Sequence, residues 1–149
     1  MFASKAIRHA IADLLEAADI AVDTPARRLP VTILRSPPSG GWVKDDALPG
    51  IYMYLRREEI RPATMTRAAR TITMDLILEA RGADAEDQLD DMQLAVERTI
   101  AASANLGGLV MEIRPVDAEI HIERGSAIFG ARRLSWSVRV EVPRSDPSL

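Results

Sequence analysis

The chain has only two histidines, His9 and His121, and no cysteine. A metal centre built on them would need both imidazoles to converge with a carboxylate, yet neither has a neighbour at ligand spacing. Nucleophilic catalysis finds no better footing. Ser36, Ser39, Ser103, Ser126, Ser135 and Ser137 lack a nucleophile-elbow context, and neither histidine is placed to serve as their base. The glycines of Gly125–Gly130 are not followed by Lys-Ser or Lys-Thr, so they do not make a phosphate-cradling loop. Gly107-Gly108 leads into an extended segment rather than a helix, the wrong order for anion binding at a helix N-terminus. The acids Asp84, Glu86, Asp87, Asp90 and Asp91 suggest magnesium at first sight, but they read more simply as the first turn and solvated face of a helix. Calcium-loop spacing is absent. The residues therefore predict no enzyme, no catalytic or metal-ligating set, and no cofactor.

Arginine is the residue type that remains. The pairs Arg27-Arg28, Arg56-Arg57 and Arg132-Arg133, with Arg61, Arg67 and Arg70, fall at predicted strand ends or in loops. They read either as solubilising charge or as interface residues, because a planar guanidinium pairs with carboxylates across a subunit boundary. Acids lie close by: Asp45, Asp46, Glu58, Glu59 and Asp84. Trp42, beside Pro37-Pro38-Ser39-Gly40-Gly41, belongs to no periodic apolar face and reads either as a lid or as a partner anchor. Trp136 reads as core. Met53, Met74, Met92 and Met111 read as core filler.

Composition narrows the class. With 149 residues, 47% hydrophobic and 28% charged, the chain fits one globular domain with its own core, residues 1–149. A formal charge of -3 opposes sequence-independent DNA binding, which needs a basic footprint. Few aromatics are present for base stacking. No apolar run approaches the roughly 20 residues needed to span a bilayer, and no signal-peptide core is seen. These features predict a soluble cytoplasmic protein.

The elements that must position these residues follow from periodicity. Ile7, Ile11, Leu14, Leu15 and Ala18 predict a helix from Ser4, its cap, to about Ile20. Val31–Leu34 predicts a short strand, and Arg35–Trp42 a projecting loop. Asp45–Gly50 is an acidic loop closed by Pro49-Gly50. Ile51–Leu55 predicts a buried strand, followed by an arginine-rich connection from Arg56 to Arg70. Thr71–Ala80 alternates strictly, with Ile72, Met74, Leu76 and Leu78 dry and Thr71, Thr73 and Asp75 wet, until Gly82 stops it. A second helix is capped by Asp84, carries the stripe Leu89, Met92, Val96 and Ile100, and ends at Asn105-Gly107-Gly108. Leu109–Ile113 reads as extended, and Pro115 as a break or an edge position. Val116, Ala118, Ile120 and Ile122 predict a half-buried strand. Gly125–Gly130 predicts a loop or hairpin end, and Leu134, Trp136, Val138, Val140 and Val142 predict a last strand. Pro143–Leu149 reads as a flexible tail. The expected fold is α+β, order α-β-β-β-α-β-β, with an antiparallel-rich mixed sheet and two main helices packed on one face.

That order resembles a known family. An amphipathic first helix is followed by a strand, and then by the acidic loop and proline-to-strand junction Asp45-Asp46-Ala47-Leu48-Pro49-Gly50-Ile51-Tyr52-Met53-Tyr54-Leu55. A long alternating strand, an acidic-start helix and two closing strands complete it, the last ending Leu134-Ser135-Trp136-Ser137-Val138-Arg139-Val140-Glu141-Val142. From about Ser4 to Val142 the chain resembles the tail terminator (tail completion) proteins of long-tailed bacteriophages. The Pro-Pro-Ser-Gly-Gly-Trp loop is longer than the family pattern. The resemblance implies a minor tail protein that forms a hexameric ring, caps the tail tube, stops its polymerisation and offers its other face to the head connector. Its implied partners are further copies of itself, the tail-tube protein, a head-closure protein and DNA passing through the lumen, with no membrane. Its implied place is the head-proximal end of the virion tail, assembled in the host cytoplasm. Candidate subunit or tube contacts are Trp42, Asp45, Asp46, Arg56, Arg57, Glu58, Glu59, Arg61, Arg67, Arg70, Arg132 and Arg133. Another neck or head-closure component, and a non-viral α+β adaptor, are the alternatives.

Overall fold

Helix α1 (Ala3–Ala17) and helix α2 (Ala85–Ala101) form because apolar side chains recur on one side of each. Ile7, Ile11 and Leu15 of α1 and Leu89, Met92, Val96 and Ile100 of α2 are buried. Full burial of each large side chain contributes about 1.5–3 kcal/mol. The computed structural model describes residues 1–103, 105–125 and 128–149. Ser126 and Ala127, within the expected Gly125–Gly130 loop, lie outside the described residues.

Among the described residues seven strands accompany the helices: β1 (Ala21–Asp23), β2 (Arg28–Pro30), β3 (Thr32–Leu34), β4 (Gly50–Pro62), β5 (Arg67–Arg81), β6 (Glu112–Arg124) and β7 (Ile128–Pro143). The fold is α+β. The first two strands make a small antiparallel hairpin, and the others form a five-stranded sheet in the order β3-β4-β5-β7-β6. In this sheet β3 and β4 run parallel, and the pairs β4–β5, β5–β7 and β7–β6 are antiparallel. Both helices lie over the same face, where Ile51, Met53, Ile72, Met74, Leu76, Leu78, Leu134, Trp136, Val138 and Val140 meet them. Among the described residues the opposite face carries no helix.

Several sequence expectations change. Helix α1 begins before Ser4, with Phe2 at its cap position, and ends at Ala17. Asp19 takes a positive φ of 50°, so the chain turns off before Ile20. Ala18 is exposed and Leu14 half-buried. Asp84 does sit at the cap of α2 without bonding a backbone N–H. Its carboxylate instead accepts from Gln88 Nε2 at 2.9 Å. Helix α2 stops at Ala101, short of Asn105. The hairpin β1–β2 was hidden in what reads as a helix end and a connection.

The largest change concerns Arg56–Arg70. Most of it is strand: β4 runs on to Pro62, β5 starts at Arg67, and only Ala63–Thr66 turns. Charged residues continue a strand here because pairing with β5 satisfies their backbone while their side chains stay in water. A bulge at Arg56 shifts the register, so Arg57, Glu59 and Arg61 share the helix-free face while Glu58 and Ile60 share the helix face. On β6, Val116 and Ile120 are exposed rather than half-buried. Helix α2 packs mainly on β5 and β7, so on the edge strand Ile113 and Ile122 are half-buried against the core while Val116 and Ile120 stay exposed. Gly82 ends β5 as expected, with φ 112°. The tail turns back onto the N-terminus, where Phe2 and Ser148 bridge and Leu149 N–H donates to Met1 O at 2.9 Å.

Candidate functional site

The helix-free face carries polar side chains from four strands, and strand alternation explains its composition. Tyr54, Asp75, Ser135 and Asp117 lie in register across β4, β5, β7 and β6. Asp75 is 0% exposed although it points away from the core. Its Oδ1 accepts from the Ser135 hydroxyl at 2.6 Å. Its Oδ2 lies 3.1 Å from Arg56 Nε and 4.0 Å from Arg133 Nε. Arg133 also reaches Glu119 on β6. Burial, and then the Asp75 carboxylate, push the Tyr54 hydroxyl up from its ordinary value. One carboxylate on β5 thus gathers groups from the two strands beside it, β4 and β7. The alternating pattern marked Asp75 as wet, which is corrected: long side chains from β4 and β7 fold over it.

A second buried carboxylate, Glu79, holds the loop between β3 and β4. Its Oε2 accepts from Val43 N–H at 2.7 Å. Tyr52 O–H lies 3.4 Å from its Oε1. Burial pushes the Glu79 carboxyl up, against these two bonds, which pull it down. Burial and then the Glu79 charge raise the Tyr52 hydroxyl to about 12. The same loop is pinned by Asp45, 2.6 Å from Arg81. The Leu48–Pro49 peptide that leads it into β4 is cis. Trp42, 68% exposed at the loop's crest, borders an open cleft of about 670 Å³ with Arg81, Arg124 and Phe129.

The twelve residues singled out from sequence are not gathered in one place. Asp46 is exposed on the short turn Asp45–Ala47. Arg56 and Arg133 converge on Asp75. Arg57 is exposed on the helix-free face, and Arg61 pairs there with Glu59 at 2.8 Å. Arg67 donates to the Glu141 carbonyl at 2.8 Å. Arg70 and Glu58 pair at 2.8 Å on the helix side, where the Arg70 guanidinium stacks 5.4 Å from the Phe2 ring. Arg132 is buried and clips α2 to β7, reaching Asp90 at 2.6 Å and Gln93 at 3.0 Å. Its even position on β7, shared with Leu134 and Trp136, was the signal that it faces the helix. The guanidinium groups of Arg56, Arg70, Arg132 and Arg133 are therefore engaged inside the chain. A charge reversal at Arg56 would place a carboxylate against Asp75, so it tests the fold before it tests a contact.

Asp75, Ser135, Tyr54, Glu79, Tyr52 and Glu119 were missed. The one available signal was an aspartate in mid-strand between Met74 and Leu76, a residue type depleted in strands. Among the described residues no three His, Asp or Glu side chains are grouped to hold a metal ion. Among them no helix is long and apolar enough to cross a membrane. Both Asp75 and Glu79 are taken up by internal partners. In this geometry the two carboxylates tie strands and a loop together. Comparison with protein-family models and with curated proteins gives no match.

Proposed function

We propose that this chain is a structural virion protein of the tail-terminator kind: a ring-forming subunit that caps a tail tube, stops its growth and joins it to the head connector. One observation carries the reading. The sheet has a bare polar face and unpaired strand edges on both flanks, the build of a subunit that completes itself against neighbours. In this reading copies of the chain make the ring, hexameric as in the family the sequence resembles. The tail-tube protein binds one ring face, a head-closure protein binds the other, and DNA passes through the lumen without sequence-specific contact. The protein then resides at the head-proximal end of the tail after assembly in the host cytoplasm. It performs no catalysis and needs no cofactor.

The test is to mix the purified chain with tail-tube protein and image the products. A ring of uniform diameter at one end of each tube is expected. Tubes with bare ends, or chain bound along their length, would contradict the proposal.

A further inference from the structure

The sheet ends in two edges of different character. Beyond Tyr52, no described strand lies on the outer side of β4, because β3 covers only Gly50–Tyr52. On the other flank β6 pairs with β7 alone. An unpaired strand presents a row of backbone donors and acceptors that another chain can complete.

We propose that the free edge of β4 in one copy pairs antiparallel with the β6 edge of a second copy, head to tail. The inference deepens the ring reading, on which it rests for the identity of the partner. Three features of the two edges support it. The first is direction: β4, β5, β7 and β6 alternate along the sheet, so a neighbour set down in the same orientation brings its β6 antiparallel to β4. The five-stranded sheet is simply continued.

The second is the placement of exposed apolar residues. Ile60 on β4 is 56% exposed and Ile120 on β6 is 59% exposed. Their register partners, Arg70 and Arg132, both lie on the helix side of the sheet. Continuing the sheet brings the two isoleucines to the same face, where they can cover one another. The third is charge on the helix-free face. There β4 offers Arg57 and Arg61 with one acid, Glu59, while β6 offers Glu112, Asp117, Glu119 and Glu123 with Arg114 and His121. A basic edge meets an acidic one, whereas β6 against β6 would set like charges together.

The same edges limit the contact. Pro62 ends β4, and Pro115 with the bulge at Val116 interrupts β6, which leaves Asp117–Arg124 as its regular part. The joint uses two different surfaces, so it propagates from copy to copy and forms a ring when the rotation closes.

The chain has no cysteine, so introduced thiols report only the chosen pair. Ile60→Cys and Ile120→Cys variants, each checked for folding by circular dichroism, are mixed and treated with a short bismaleimide. A covalent dimer is expected in the mixture and only monomer in either variant alone; the double variant should give a ladder ending at a closed ring. A dimer in Ile120→Cys alone would mean two-fold β6–β6 pairing and would overturn the proposal. So would a mixture that stays monomeric both alone and with tail-tube protein. If the mixture cross-links but the chain never caps tubes, the edge contact stands and the tail reading fails. If tubes are capped without cross-linking, the edge contact fails and the tail reading stands.

Discussion

Replacing Asp75 by asparagine removes one charge and almost no volume from the middle of the sheet. The Ser135 hydroxyl sits 2.6 Å from Oδ1, and Arg56 Nε 3.1 Å from Oδ2. A hydrogen bond to a charged group contributes about 1.5–3 kcal/mol and a neutral one about 1 kcal/mol, so the weakened Ser135 bond accounts for about 1 kcal/mol. Arg56 is half exposed, so solvent screening holds its pairing to about 1 kcal/mol at most. Asp75→Asn should therefore destabilise the fold by about 2 kcal/mol. Asp75→Ala also leaves the buried Ser135 hydroxyl without its acceptor and should lose about 3–4 kcal/mol in all. Urea denaturation reads both as a lower midpoint with an unchanged slope. A double-mutant cycle with Arg56→Met should return a coupling of about 1 kcal/mol. An Asp75→Asn variant as stable as the parent, or more stable, would refute the reasoning. It would mean that desolvation of the carboxylate outweighs its three partners, as happens in some buried ion pairs.

Glu79→Gln keeps an acceptor for Val43 N–H and removes a buried charge. In the folded chain the Glu79 carboxyl is raised above its ordinary 4.5, so between those two values the folded state binds more protons than the unfolded state. Stability from this group is present below about pH 4.5 and is lost as pH rises through the folded value. Melting curves should thus show the Gln variant gaining on the parent as pH rises above 4.5; a constant difference would rule this out. Gly130→Ala puts a Cβ 2.7 Å from Leu89 Cδ1 of α2, and overpacking of this sort should lower stability by about 1–3 kcal/mol in the same urea assay. Arg57→Glu with Arg61→Glu should leave the folded monomer within about 0.5 kcal/mol of the parent, since both side chains are exposed. In analytical ultracentrifugation the same pair should weaken self-association; an unchanged sedimentation profile would place the contact elsewhere.

The sequence carried much of the fold and little of the site. Leu89, Met92, Val96 and Ile100 on α2, and Leu134 to Val142 on β7, were legible because both elements bury one unbroken face. On β6 the same alternation misled. Ile120 has the spacing of a core residue, but whether a helix lies over it depends on where α2 crosses the sheet, which is a tertiary fact. Arg56 to Pro62 misled in the opposite direction, since its charges look like a loop while its backbone pairs with β5. Asp75 and Glu79 lay on faces expected to be wet. Their burial comes from arginine and tyrosine side chains on neighbouring strands, and a periodicity reading of one strand at a time cannot see it.

The central claim is that this chain is an assembly subunit that ends tube growth. Its most direct test is the elongation of tail-tube protein from preformed tube seeds, followed by light scattering, with the chain added part-way. Growth should stop at an amount of chain matched to tube ends, far below the amount of tube protein, and the arrested tubes should carry the chain at one end only. Elongation at an unchanged rate with excess chain present would contradict the claim.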